Sequence, residues 1–165
     1  MKFYYADPTP DRFASELRQA AARGELEKPE GQLVWMTFLG RIMAAVPHRI
    51  GGWFAELGDL SGAARQTLCG AAWMSGTPEG MECVRAAGAD SRMAGPAPDL
   101  LAQRLDPVLL DMLWAMYFAT GDERPVRRII GALDFLGDRG AAAQFKMTAQ
   151  TEDDRRRAIN DALFQ

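Results

Sequence analysis

Two long apolar segments constrain the fold of this chain more than any other feature of its sequence. The first covers residues 33–39 and resumes at 42–46, and the second covers residues 108–120. Each is apolar on nearly all sides at helical spacing, which is typical of a helix surrounded by other protein. A buried strand is the competing interpretation of residues 33–39, but the length of the whole apolar segment favours a helix. Neither segment reaches the ~20 uninterrupted apolar residues that cross a bilayer.

Capping residues, prolines and glycines divide the remaining chain into further helices. A Ser, Thr or Asp at a helix start accepts hydrogen bonds from free backbone N–H groups, and Gly ends a helix in a left-handed conformation. The predicted caps are Thr9, Ser61, Thr77, Asp106 and Asp122. The predicted helices cover residues 10–23, 29–46, 48–57, 62–75, 78–87, 107–120, 123–136, 141–148 and 151 onward, with a shorter one at 99–104.

These signals predict an all-α fold with about eight helices and no β-sheet, because no segment alternates polar and apolar residues between hairpin turns. We expect a single domain over residues 1–165, built as a helical bundle or an array of antiparallel helical hairpins. The loop at residues 88–98 is rich in Gly and Pro and separates two helical subregions. Neither side is large enough to hold a core easily by itself, so this loop is not predicted to be a domain boundary.

The distribution of charge argues against nucleic acid as a partner. The chain has a formal net charge of −3 at pH 7, and its acidic and basic residues are interspersed. A protein that grips phosphates usually presents a basic face instead. The N-terminal residues lack the apolar stretch of a signal peptide, so we expect a cytoplasmic protein that does not associate with membranes.

Cysteine and histidine are too few to predict a metal site. Cys69, Cys83 and His48 are the only residues of these two types, and neither cysteine belongs to a CxxC pair. We interpret the cysteines as reduced thiols in a helical core. They lie seven residues either side of Gly76, so a hairpin there would place them at similar heights on neighbouring helices. A disulfide would also need suitable Cβ directions and is not predicted.

Two titratable residues are candidates for chemistry. His48 stands where one predicted helix has ended and the next begins, and there it would be either a general base or a capping or solvated histidine. The sequence supplies no partner to orient it, which favours the second interpretation.

Asp111 lies within the most apolar helix, where it must face solvent, pair with an arginine such as Arg104 or Arg128, or line a site. No residue is therefore assigned a catalytic, cofactor-binding or metal-binding role, and no cofactor is expected.

The predicted core includes most of the large apolar side chains. Trp35, Trp73 and Trp114 lie on apolar helices and are expected to fill the core, whereas Trp53, beside two glycines, is expected at a surface or interface. The helix after Gly121 is expected to bury one stripe of its side chains. That stripe consists of Val126, Ile129, Ile130, Leu133 and Leu136.

Two stretches of the chain share one construction at a constant offset of 45 residues. The corresponding pairs are Ser61 and Asp106, Leu68 and Leu113, Gly76 and Gly121, and Val84 and Ile129. Each stretch predicts a capped apolar helix, a turn containing Gly, and an amphipathic helix. This construction resembles the hairpin repeats of HEAT and tetratricopeptide proteins, and residues 113–122 are similar to hairpin segments of bacterial helical proteins. Two unrelated antiparallel hairpins would share the same features, and repeat arrays usually have at least ~3 copies.

Architecture of this kind is compatible with three functions. The first is a non-enzymatic interaction or assembly module, which predicts a contiguous exposed apolar or aromatic patch. The second is a small-molecule binder or enzyme, which predicts an enclosed cavity of ~300 Å³ or more with convergent polar groups. The third is a homo-oligomer that buries its apolar helices across a two-fold axis. The lack of any recognisable chemical motif favours the first function, with a protein partner or a second copy of the chain as its ligand.

Overall fold

The computed structural model describes residues 4–26, 29–60, 62–88, 93 and 95–134. Within these ranges the protein consists of seven α-helices and contains no β-strand, so the all-α prediction is confirmed. The helices are α1 (Phe13–Ala22), α2 (Pro29–Ala45), α3 (Ile50–Glu56), α4 (Gly62–Met74), α5 (Pro78–Ala86), α6 (Pro107–Thr120) and α7 (Glu123–Asp134). Short 3-10 turns lie at Tyr4–Ala6, Pro10–Arg12 and Pro47–Arg49.

Three of the predicted caps begin helices as the sequence indicates. The Asp106 carboxylate accepts a hydrogen bond from the Leu109 N–H at 2.7 Å, and the Thr77 hydroxyl accepts one from the Gly80 N–H at 3.1 Å. The Asp122 carboxylate accepts one from the Arg124 N–H at 3.0 Å. Each cap satisfies a backbone donor that has no partner within its helix.

Two predicted starts are wrong. Thr9 makes no capping hydrogen bond, and the chain passes through the 3-10 turn Pro10–Arg12 before α1 begins at Phe13. Residues 99–104 form a turn rather than a helix, because the Asp99 carboxylate accepts a hydrogen bond from the Leu101 N–H two residues ahead. Such a bond competes with helical pairing.

Several predictions fall outside the described residues. They are the Ser61 cap, the helices at 141–148 and 151 onward, the side chains of Leu133 and Leu136, and residues 89–92 and 94 of the loop at 88–98. The single-domain organisation and the repeat also stay predictions.

α2 and α4 pack closely and run in the same direction. Near the start of α2, the Gln32 side chain donates a hydrogen bond to the Ala63 carbonyl at 3.1 Å, and further along the Thr37 hydroxyl lies 3.4 Å from the Met74 sulfur. At Gly40 the two backbones approach so closely that an added Cβ would lie 2.8 Å from the Ala71 carbonyl oxygen. Glycine is therefore required there for packing rather than for its backbone angles.

α6 packs against α2 and also runs parallel to it. Gly31, near the start of α2, lines the same groove as Asp111 near the start of α6. Arg41, near the end of α2, interacts electrostatically with Asp122 just beyond the end of α6. α2 thus has close contacts with both α4 and α6 and contributes to both hydrophobic clusters of the described chain.

α5 and α7 each complete a hairpin with the helix before them. Gly76 and Gly121 adopt left-handed backbone angles, with φ of +67° and +69°, and reverse the chain after α4 and α6. The hairpins begin at residues 62 and 107 and their second helices at 78 and 123, which keeps the 45-residue offset in both elements. Because both hairpins reach α2 through their first helices, the architecture departs from a linear array in which consecutive hairpins stack on one another.

The predicted location of Trp53 is wrong. Trp53 is only 3% exposed and stacks on Phe13, with ring centroids 4.1 Å apart and planes 14° from parallel. The glycines at 51 and 52 suggested a surface position, but they face away from neighbouring atoms while the indole packs against α1. Trp53 therefore joins α3 to α1.

Candidate functional site

An open groove lies between α2 and α6. We call it the α2–α6 groove, and its volume is about 560 Å³. Both helices contribute residues three or four positions apart, which places them on one face of each helix. The lining residues are Gly31, Val34, Trp35, Asp111, Trp114, Ala115 and Phe118.

Trp114 is the most exposed aromatic side chain of this groove. Its predicted place in the core is wrong, because 38% of its surface is exposed. The ring stacks on Phe118 with centroids 5.9 Å apart and meets Tyr117 edge-on at 6.2 Å. α6 is apolar apart from Asp111 and Thr120, and it packs against α2 on one side and α7 on another. Trp114 lies on the remaining side.

The aromatic surface continues from α6 to the N-terminal turn. The Tyr5 ring lies 5.6 Å from that of Tyr117, and the two hydroxyl groups are 3.3 Å apart. Their hydrogen bond raises the pKa of Tyr5 above its usual value. The Tyr5 ring also covers Gly121, where an added Cβ would lie 2.8 Å from it.

Asp111 supplies the carboxylate of the groove. The side chain is exposed and lines the groove. Two of the alternatives stated for Asp111, that it faces solvent and that it lines a site, therefore hold together. Arg128, one predicted partner, instead donates hydrogen bonds to the backbone carbonyls of Leu100 and Gln103. A negative charge therefore stands beside the exposed indole of Trp114.

A second concave site lies between the N-terminal residues, α1 and α2. We call it the α1–α2 cavity; its volume is about 410 Å³. Its apolar residues are Tyr4, Phe13, Trp35, Phe38, Leu39 and Ile42, and its polar residues are Asp7, Thr9, Arg12, Glu16, Arg23 and Glu25. It meets the size expected of a ligand site but contains neither Asp111 nor His48, which the sequence offered as polar groups for such a cavity.

Ion pairs occupy both arginines of the α1–α2 cavity. Arg12 contacts Glu16 at 2.7 Å, and Arg23 contacts Glu25 at 2.6 Å. Burial raises the pKa of the Tyr4 hydroxyl, and the positive charge of nearby Arg49 opposes that rise. Tyr4 therefore stays a neutral phenol at neutral pH.

His48 is exposed in the turn Pro47–Arg49 and lines neither the groove nor the cavity. This position agrees with a solvated histidine. It places the imidazole away from both concave sites.

The two cysteines lie on neighbouring helices without a disulfide. Cys69 on α4 is buried and Cys83 on α5 is half-buried. Burial raises the pKa of both thiols. They are therefore protonated at neutral pH and lack the thiolate character of a nucleophilic cysteine.

Neither a metal site nor a membrane span is found in the part of the chain that the structure describes. No three His, Cys, Asp or Glu side chains there are grouped so that they could hold a metal ion. Among the described helices, none is both long enough and apolar enough to cross a bilayer.

Comparison with known proteins gives no relative of this chain. No protein-family model matches it, and neither a curated protein nor a solved structure does. The two concave sites are therefore the features from which a function can be inferred.

Sequence reasoning missed the α1–α2 cavity. Its walls come from α1, α2 and the irregular segments that precede and follow α1, including the turn Tyr4–Ala6, and these segments carry no periodic signal. The one available indication was the run of aromatic residues at the N-terminus, which no helical pattern explained.

Proposed function

We propose that this protein is a non-enzymatic interaction module whose α2–α6 groove binds an amphipathic helix of a partner protein. The observation that carries the proposal is the exposure of Trp114, at 38%, beside an open apolar groove. Exposed apolar patches with a polar edge are typical of interaction surfaces. Tryptophan is also among the residues that contribute most to binding energy at interfaces.

The dimensions of the groove favour a helix as its occupant. Asp111 and Phe118 are seven residues apart on α6, which corresponds to about 10 Å, or two helical turns. Because α2 and α6 are neighbouring helices, the space between them accepts the apolar side chains of a third helix at positions i, i+3, i+4 and i+7. Trp114 and Phe118 would contact these side chains.

The charge of the groove favours a basic partner. Asp111 is exposed at the edge of the groove, so a Lys or Arg beside the apolar stripe of the partner would pair with it. A second copy of this chain would bring another Asp111 to the same surface if the two-fold axis passed through the groove. Like charges close together at an interface weaken association.

The same electrostatic pattern supports the expectation that nucleic acid is not a ligand. Several of the described arginines are paired with acidic side chains, as in Arg18 with Asp59 and Arg127 with Glu123. A phosphate backbone would have to compete with those carboxylates. We also propose that the protein acts in the cytoplasm, where its two free thiols would stay reduced.

Peptide titration tests the proposed function. The probes are two fluorescent helical peptides of ~16 residues with the same leucine stripe, one carrying lysines and the other glutamates beside it. We expect the full chain to bind the lysine peptide more tightly than the glutamate peptide. Trp114→Ala should weaken binding by about tenfold or more, because it removes the exposed anchor.

Two controls accompany this titration. Ile130→Ala alters a side chain that is 53% exposed and does not line the groove, and should leave peptide affinity unchanged. Sedimentation measures the mass of the unliganded chain, and a dimer that Trp114→Ala dissociates would show that a second copy occupies the groove. Failure of the lysine peptide to bind, equal affinity for the two peptides, or equal binding by Trp114→Ala and the unaltered chain would contradict the proposal.

Small-molecule binding is a second candidate function. The α1–α2 cavity, of about 410 Å³, favours it, because the cavity combines aromatic walls with polar groups. No described group in the cavity pairs a nucleophile with a base, so binding rather than catalysis is proposed. This function and helix binding use different surfaces that share Trp35.

A further inference from the structure

We infer that the α1–α2 cavity binds a small organic cation with a rounded alkylammonium head. This inference rests on the second candidate function, ligand binding in that cavity. Three features carry it: the arrangement of the aromatic rings, the distribution of charge, and the volume.

The aromatic rings form a corner rather than a slot. Tyr4 and Trp35 both pack against Phe38 with centroids 6.1 Å away and planes nearly perpendicular to it, at 83° and 90°. A slot between parallel rings would suit a flat ligand that stacks. Rings at right angles can instead surround a rounded group, and the negative charge on aromatic faces attracts cations.

Phe13 contributes an α1 side chain to the lining of the cavity. One face of Phe13 stacks on the buried Trp53 at 4.1 Å, while the side chain also lines the cavity. That stacking fixes the orientation of the Phe13 ring. The cavity is therefore formed by the packing of α1 against α3 as well as α2.

The charges of the cavity favour a cation over an anion. Its acidic residues are Asp7, Glu16 and Glu25, and its basic residues are Arg12 and Arg23. Glu16 and Glu25 hold both guanidinium groups, so an anionic ligand would have to break an ion pair. Among the described residues Asp7 makes no ion pair, and it can balance a cation without losing another contact.

Asp7 is also placed where it can act with the aromatic corner. Its backbone N–H donates to the Tyr4 carbonyl at 3.1 Å, which closes the turn that carries the Tyr4 ring. One short segment thus supplies both an aromatic wall and the unpaired carboxylate. A neutral ligand would fill the apolar corner without using that carboxylate.

Isothermal titration of the full chain tests the inference with two probes of nearly equal shape. Choline chloride carries a quaternary ammonium group, and dimethylbutanol is its neutral isostere with carbon in place of nitrogen. We expect choline to bind about tenfold more tightly than dimethylbutanol, because only the cation gains from the ring faces and Asp7. Physiological salt should be present to screen weak surface binding.

Three variants locate the binding. Asp7→Asn should weaken choline binding by about threefold to tenfold while leaving dimethylbutanol binding unchanged, since only the cation loses a partner. Tyr4→Leu should weaken choline binding while changing dimethylbutanol binding little. The matched control is Asp59→Asn, which alters an exposed carboxylate that pairs with Arg18 and does not line the cavity, and which should leave choline binding unchanged.

The possible failures are distinguishable. Equal affinity for both probes would overturn the cationic ligand class and keep ligand binding. Absence of binding by both probes would overturn both the inference and the second candidate function. Choline binding that Asp7→Asn and Tyr4→Leu leave unchanged would place it elsewhere on the chain and would also overturn the inference. Asp7 is exposed, so Asp7→Asn is expected to fold, and its unfolding temperature verifies this.

Discussion

Trp53 and Trp114 show how far a single residue can be placed from sequence. Helical periodicity assigned both to helices, and both do lie on helices. Periodicity assigns a residue to a face only when the helix has one apolar and one polar face. α6 is apolar apart from Asp111 and Thr120, and these two residues alone do not specify which face other helices cover. For Trp53, the neighbouring glycines suggested exposure, but contact with Phe13 depends on α1, which is distant in sequence.

The two tryptophans should differ sharply in their contribution to stability. Trp53→Ala removes a ring that is only 3% exposed, and should lower the free energy of unfolding by about 3–5 kcal/mol. Trp114→Ala should lower it by about 1 kcal/mol, because much of its surface already contacts solvent. Urea denaturation followed by circular dichroism measures both values. Similar losses for the two variants would show that Trp114 is buried in solution.

At the scale of elements, local signals determined most helix starts. Asp106, Thr77 and Asp122 cap helices with bonds that form within three residues, so sequence alone specifies them. Residues 99–104 carry the same kind of signal, an Asp before apolar residues, but Asp99 closes a turn instead. The choice between cap and turn also depends on contacts from distant parts of the chain. Here Arg128 from α7 donates hydrogen bonds to two backbone carbonyls of this segment.

Removal of the helix caps should lower stability, and Thr9, which does not cap a helix, provides the control. Asp106→Ala and Thr77→Ala should each lower the free energy of unfolding by about 1 kcal/mol, because each removes a bond to a helical N–H. Thr9→Ala should change it by less than about 0.5 kcal/mol, since Thr9 makes no capping bond. Thermal or urea unfolding of the three variants measures these differences. A loss at Thr9 equal to that at Asp106 would contradict the described start of α1.

The buried stripe predicted for α7 is correct at one position and wrong at another. Ile129 is 6% exposed and packs in the cluster with α6, whereas Ile130 is 53% exposed. Neighbouring residues differ by about 100° around a helix, so a stripe that includes both requires a wide contact surface. Among the described residues, α7 has its main contact with α6, which covers a narrower face.

At the scale of the whole molecule, composition and apolar segment lengths were sufficient to predict an all-α fold. They did not specify the order in which helices pack, because nothing local to α2 indicates that it contacts both α4 and α6. The two concave sites could not be predicted either, because both depend on which helices pack together. The α2–α6 groove joins residues about 80 positions apart in sequence, such as Gly31 and Asp111.

Acid should destabilise the protein in part through one contact between distant elements. Arg18 of α1 donates two hydrogen bonds to the Asp59 carboxylate, just after α3, and these bonds lower the pKa of Asp59. A carboxyl group whose pKa is lower in the folded state adds stability above its unfolded pKa of about 3.9. That stability is lost as the pH falls through the folded pKa. Because both side chains are exposed, the contribution is small.

Urea unfolding at about pH 6 and about pH 3 measures this contribution. Asp59→Asn should reduce the difference in stability between the two pH values, and Arg18→Ala should reduce it equally. The double variant should show no further reduction, since both changes remove one interaction. A pH difference unchanged in all three variants would show that the ion pair does not persist in solution.

The position of α2 has a consequence for the order of assembly. α2 precedes both of its major neighbours, and the second of them, α6, begins more than sixty residues after α2 ends. During synthesis α2 would leave the ribosome well before that neighbour exists, with an apolar flank uncovered. The α4–α5 and α6–α7 hairpins can form early from local contacts. Packing of α6 against α2 joins segments that are distant in sequence, and such contacts form slowly. Chaperone dependence during translation should therefore centre on α2.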